Sequence, residues 1–173
     1  MNIFGLVGWS GSGKTTLMRL LLPELTSRGY RVSTMKHTHH NFDIDKPGKD
    51  SYMHREAGAH EVLITGAKRW AILHENRHAP EPDIETLLTR LEEVDLVLIE
   101  GFKSHSHAKM EVFRPSVGKS MIAADDKTIV AIVSDEQLNV ENCPILDLSD
   151  IVGIADFILN YCGLNRRAAN GAA

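Results

Sequence analysis

One stretch near the N-terminus constrains the fold more than any other: Gly8-Trp9-Ser10-Gly11-Ser12-Gly13-Lys14-Thr15-Thr16. It matches G-x-x-x-x-G-K-[ST] and lies between an apolar β-rich run, Ile3 to Val7, and a segment of helical period from Lys14 to Arg28. Leu17, Leu20, Leu21 and Leu25 fall on one face of that segment, so a helix is expected there, with Pro23 bending or shortening it and Gly29 ending it. Glycines let the connecting loop take torsions that a β-carbon forbids, so its amides can point inward together. The helix start adds unpaired donors and the positive end of its dipole. The stretch from Gly8 to Thr16 is therefore a candidate cradle for nucleotide phosphates. Lys14 would reach the β- and γ-phosphates, and the Thr15 hydroxyl would ligate Mg²⁺. A plain glycine-rich corner is the rival reading, and the Lys-Thr pair in register argues against it.

The rest of the chain repeats the strand–helix alternation of an α/β fold around a mostly parallel sheet flanked by helices. Strands are expected at Tyr30 to Met35, Asp95 to Ile99, Met110 to Phe113, Thr128 to Val133 and Ile145 to Leu148. Short helices are expected at Ser51 to Ala59 and after Asp83, the latter carrying Ile84, Leu87, Leu88 and Leu91. A last helix should run from Asp150 to Cys162, capped by Ser149. Glu61 to Thr65 and Trp70 to His74 flank Gly66 closely enough for an antiparallel hairpin extension. At 173 residues the chain suits a single domain, here 1–165, with a disordered tail over 166–173.

Composition narrows the function classes. Hydrophobic residues at 43% and charged residues at 24% exclude a disordered chain, a collagen-like repeat and a coiled-coil rod. A net charge of −4 gives nucleic acid no electrostatic reason to bind. Cys143 and Cys162 are too few for a disulfide scaffold or a four-cysteine zinc site. With no signal-like start and no apolar run long enough for a bilayer, a soluble cytoplasmic protein is expected.

Other candidate residues gather around the phosphate cradle in sequence logic. Glu100 ends the buried run from Asp95, where phosphate-loop proteins place an acid that holds Mg²⁺ directly or through water. The usual residue there is Asp, and a Glu could instead orient a water. Lys36 to Ser51 follows the second strand, where a switch responsive to the γ-phosphate is expected. Within it Asp43 and Asp45 are candidate catalytic groups, through Mg²⁺-bound water or through placing the attacking water. His37, His39 and His40 are open between phosphate or metal binding and ordinary solvated loop positions. Lys49 and Arg55 are basic groups suited to phosphate. No N-K-x-D sequence reads guanine, but Ser134-Asp135 ends a strand, and Asp135 is either a base-reading carboxylate or a turn residue. The hairpin with Trp70 offers an edge for a second copy, or packs on its own sheet.

Taken in order, the phosphate loop, Lys36-His37-Thr38-His39-His40, Asp43-Ile44-Asp45-Lys46-Pro47-Gly48-Lys49-Asp50-Ser51, Arg55-Glu56-Ala57-Gly58-Ala59 and Glu100-Gly101-Phe102-Lys103 resemble the molybdopterin-guanine dinucleotide biosynthesis protein B family, MobB. The resemblance runs from the first strand to about Asp156. It implies a dimeric P-loop protein that binds GTP with Mg²⁺ and hydrolyses it weakly. It also implies an adaptor role beside the guanylyltransferase that attaches GMP to molybdopterin, with molybdopterin itself a further candidate ligand. The resemblance places the chain in the class of nitrogenase iron protein and the signal-recognition GTPases. Many members of that class carry a lysine just after the first loop glycine that acts across a dimer. Here that position is Trp9, so the device is absent. Two rivals stand beside this reading: a small-molecule kinase with Lys103, Lys109 and Arg114 in a lid, and a metal-insertion GTPase using the histidine cluster.

Overall fold

The computed structural model describes residues 1–38, 42–141 and 143–164. They form two compact units, residues 1–37 with the chain from 92 onward, and residues 38–91. In the first unit, strands β1 (Asn2–Val7), β2 (Val32–Lys36), β5 (Leu96–Glu100), β6 (Lys109–Phe113), β7 (Ile129–Ser134) and β8 (Ile145–Asp147) form one sheet in the order β2-β5-β1-β6-β7-β8. Every pairing in it is parallel. The continuous apolar run of β5 reflects its place: Leu96, Val97, Leu98 and Ile99 are all fully buried, as a strand covered on both faces requires.

Alternate residues of the strands, Phe4, Leu6, Leu96, Leu98, Met110, Val112, Ala131 and Val133, share a core with helices α1 (Lys14–Ser27) and α4 (Ile151–Tyr161). Helix α1 contributes Leu17, Leu21 and Leu25, an i, i+4, i+8 stripe, with Met18 beside it. Leu20 was expected on that stripe and is instead 50% exposed. The helix also runs through Pro23 to Ser27 without being shortened. Its last carbonyls are met by the amides of Arg28, Gly29 and Tyr30. Arg28 ties α1 to α4 through Asp156 at 2.6 Å.

The cap of α4 corrects the sequence expectation. Asp150, not Ser149, accepts from the Gly153 amide at 2.9 Å, while the Ser149 amide and hydroxyl both donate to Asp147. Glycine suits position 153 because a β-carbon there would stand 2.3 Å from Asp150 Oδ2.

On its other face the sheet buries charge. Glu111 accepts from the amides of Ile122 and Ala123 at 2.9 and 2.8 Å, closing a 3-10 turn. Lys109 is fully buried, so it does not belong to a lid. Its amine donates to the carbonyls of Lys103 and His105 and meets Asp126 at 3.2 Å.

The second unit carries α2 (Asp50–Glu56), the hairpin β3 (Glu61–Gly66) and β4 (Arg69–His74), and α3 (Ile84–Leu88). The hairpin is antiparallel and makes a sheet of two strands, turning at Ala67 and Lys68, one step beyond Gly66. Asp83 caps α3 as expected, accepting from Thr86 at 2.8 Å, but the helix stops at Leu88, short of Leu91. Among the described residues, no helix is long and apolar enough to cross a membrane. His39, His40 and the expected tail at 166–173 lie outside the described residues.

Candidate functional site

Where β1 ends, the chain turns through residues 8–13 into α1 without any side-chain cap on the helix, whose N-cap is Gly13 at φ 97°. The N-cap residue therefore offers the first-turn amides no side-chain oxygen. Gly8 is required by proximity: a β-carbon there would lie 2.5 Å from the Val112 carbonyl oxygen and 2.6 Å from Ser12 Oγ. Ser12 is only 2% exposed, and its hydroxyl has no hydrogen-bond partner. A buried hydroxyl left unsatisfied costs about 1–3 kcal/mol, so an acceptor entering the loop would relieve it. Lys14 Nζ reaches back across the loop to the Trp9 carbonyl at 2.9 Å.

The parallel register sets the far wall. Glu100 ends β5 directly beside Leu6 of β1 and Lys36 of β2. The Thr15 hydroxyl donates to Glu100 Oε1 at 3.0 Å, and Lys36 Nζ stands 3.7 Å from the same oxygen. A hydroxyl and a carboxylate are the hard oxygen donors Mg²⁺ takes, so Thr15 and Glu100 would be the residues to hold one. Burial pushes the Lys14 amine below the ordinary lysine value; Glu100 counteracts this, while Lys103 and Lys36 lower it further. Lys14 thus feels two neighbouring lysines and one carboxylate.

Beyond Glu100 the backbone turns sharply. Gly101 at φ 97° and Phe102 at φ 50° are successive left-handed residues. A β-carbon on Gly101 would come within 3.1 Å of His37 Cβ. His37 donates its amide to the Glu100 carbonyl at 2.9 Å, and its ring lies 4.5 Å from that of Phe102. Non-glycine residues with positive φ are uncommon, and among the described residues Phe102 shares that backbone with Arg77. Next, Lys103 Nζ rests 4.1 Å above the Trp9 ring.

Asp135 follows β7 and lies 3.0 Å from Arg114 Nε, so its carboxylate has an ionic partner. In the second unit, Arg55 gathers Asp43 at 2.9 Å, Asp45 at 3.0 Å and Glu75 at 3.3 Å. The Asp45 hydrogen bond heads the influences that hold the guanidinium above its ordinary value. Asp45 has a side chain only 4% exposed, and its Oδ2 has no partner. Lys49 stands at the N-cap of α2. Among the described residues, no group of three histidine, cysteine or acidic side chains is placed to hold a metal ion.

Thr15, Glu100 and the loop thus come together as their sequence context suggests, and Asp43, Asp45 and Arg55 come together with one another. Sequence reasoning gave Glu75 no role, named Lys36 only as the start of a switch segment and within a family motif, and placed Lys103 in a family motif and in the rival kinase's lid. Lys36 ends its strand as Glu100 ends its own, but adjacency depends on sheet order, which no local pattern records.

Residues 3–135 match the family MobB, molybdopterin guanine dinucleotide synthesis protein B. The chain is 40% identical over 162 residues to the molybdopterin-guanine dinucleotide biosynthesis adapter protein of Escherichia coli (strain K12), covering 92% of each. It is likewise 40% identical to the protein of that description from Haemophilus influenzae, over 92% of this chain and 88% of the relative. The crystal structure of Bacillus subtilis MobB superposes with a TM-score of 0.75 at 25% identity, over 94% of this chain and 98% of the other.

Proposed function

This chain belongs to the MobB family, and we propose that it is an adapter of molybdopterin guanine dinucleotide biosynthesis that binds GTP with Mg²⁺ and hydrolyses it slowly. The observation that carries the reading is the Thr15 hydroxyl set against Glu100 at 3.0 Å, beside a loop that buries an unpartnered Ser12 hydroxyl. A hydroxyl and a carboxylate meeting at the start of a helix suit a hard cation that bridges to phosphate.

The residues divide the work as follows. Amides from Trp9 to Thr16 receive phosphate oxygens. Lys14 exchanges the Trp9 carbonyl for phosphate, a stronger acceptor because it is charged. Thr15 and Glu100 would hold Mg²⁺, which when bound supplies charge neutralisation for the phosphates. Glu100 is also the carboxylate able to order a water. Asp43 and Asp45 are engaged by Arg55 within their own unit. Asp135 reads guanine by accepting from the ring N1–H and exocyclic amine, in exchange for Arg114. Transfer of GMP to molybdopterin belongs to the partner guanylyltransferase. The exposed apolar face of the hairpin supports a homodimer.

Two titrations test the reading. GTP should bind more tightly than ATP, and GMP should bind weakly for want of the outer phosphates. Thr15→Ala should lower GTP affinity about tenfold in Mg²⁺, the equivalent of one lost bond, and far less in EDTA. Equal losses in both buffers remove Thr15 and Glu100 from a metal site.

A further inference from the structure

Trp9 is a fixed platform. Its indole N–H donates to the Ser120 carbonyl at 2.7 Å, and the Lys103 ammonium lies over its ring at 4.1 Å. The backbone beneath that lysine is fixed as well. The Lys103 carbonyl accepts from Lys109 Nζ at 2.9 Å, and Lys109 is itself buried and paired with Asp126 at 3.2 Å. The left-handed pair Gly101 and Phe102 turns the chain from the metal-side carboxylate Glu100 to this position within three residues. Only the stem and ammonium of Lys103 are left without a rigid hold. A cation on an exposed aromatic face is weakly retained compared with one bonded to phosphate. Lys103 and Lys36 each act on Lys14 as like charges, while Glu100 opposes them, an arrangement that an arriving polyanion would relieve.

We propose that Lys103 is a second phosphate-binding lysine, parked on Trp9 in the free protein and transferred to the outermost phosphate when the loop holds a nucleoside triphosphate. The proposal rests on the reading of residues 8–16 as the phosphate site and adds to it a group that distinguishes three phosphates from two. Trp9 then reports the transfer, because its ring loses a cation. Lysine is well suited to such a transfer, since its long flexible stem lets a compact charge move while the backbone stays in place.

The chain has two tryptophans, Trp9 and Trp70, so Trp70→Phe leaves Trp9 as the lone indole. In that background, Mg²⁺-GTP should change the Trp9 emission and Mg²⁺-GDP should change it much less. Lys103→Met should abolish the difference. It should also weaken GTP about tenfold or more, the equivalent of one charge-assisted bond, while weakening GDP less than about threefold. Lys103→Arg, which keeps the charge, should preserve the preference for GTP. Equal losses for GTP and GDP, no loss for either, or an arginine variant as weak as the methionine variant would each overturn the proposal. Failure of the underlying reading looks different. If Lys14→Ala removes both nucleotides while Lys103→Met affects neither, the phosphate site stands and Lys103 has no part in it. If Lys14→Ala leaves binding unchanged, the site itself is wrong and this proposal falls with it.

Discussion

For single residues, the site is a problem in charge. Lys14 has an amine held below the ordinary value of 10.5 by burial, then by Lys103 and Lys36, with Glu100 in partial opposition. A depressed lysine disfavours the folded, nucleotide-free protein while the group is protonated, and that penalty fades as pH rises through its lowered value. Nucleotide binding has the opposite sign. Bound phosphate raises the amine's pKa, so binding takes up protons wherever the free amine has begun to lose them, and affinity falls as pH rises. The fall should begin below pH 10.5 and should flatten in Lys14→Arg, whose charge persists across the range. Calorimetric titration of GTP from about pH 7 to pH 10, in buffers of differing ionisation enthalpy, reads both affinity and proton uptake. An affinity that is flat with pH in the wild type would show that the Lys14 amine keeps its proton across this range, and loss of GTP binding in Lys14→Ala tests the partnership itself. Thr15 and Glu100 were legible in the sequence because a motif fixes one and a strand end fixes the other. Lys36 was not, since its nearness to Glu100 comes from β2 lying beside β5. Nor was the position of Lys103, which depends on two left-handed residues and a buried amine beneath it.

Among the strands and helices, apolar runs located each strand of the six-stranded sheet and the two helices α1 and α4, but not the 3-10 turns at Pro115–Val117 and Ile122–Ala124. Ser149 and Asp150 are both good capping types and adjoin each other, so composition does not choose between them. The choice is made by the turn before the helix: Asp147 engages both donors of Ser149, which leaves Asp150 to accept from Gly153. Asp150→Ala should therefore cost about 0.5–2 kcal/mol of stability in urea unfolding, the range for a lost cap. Ser149→Ala should cost less. The reverse order would return the cap to Ser149. Leu20 and Lys109 show the same limit from two sides. Leu20 has the apolar character of the α1 stripe but faces solvent, because the contact with the sheet and α4 is narrower than the run of leucines. Lys109 has the charge of a surface residue but is buried, because the carbonyls of Lys103 and His105 and the Asp126 carboxylate satisfy it.

Across the protein as a whole, the two units differ in how they treat apolar surface. The six-stranded sheet buries its aliphatic residues, whereas the hairpin displays some of its own. The register pairs Leu63 with Ile72 and Thr65 with Trp70, which puts these four side chains on one face. Leu63 is 60% exposed, Trp70 59% and Ile72 45%. The hairpin itself was legible from two β-rich runs at close spacing. Its open face was not, since alternation tells which residues share a face but not which face is covered. Two strands alone make a marginal sheet in water, and an apolar patch of this kind marks an association surface. A second copy is a suitable cover because one patch can meet its own image about a two-fold axis. The protein should therefore sediment as a dimer. Changing Leu63 and Ile72 together to Asp should yield monomers, because two carboxylates on each copy would be brought together without counter-charge. Light scattering after size exclusion distinguishes the species. A wild type that is monomeric at tens of micromolar, or a double variant that remains dimeric, would take this face out of the dimer. Lys14 and Lys103 lie in the sheet unit, so a monomeric variant that still prefers GTP over GDP would show that the phosphate site and its second lysine are complete within one chain.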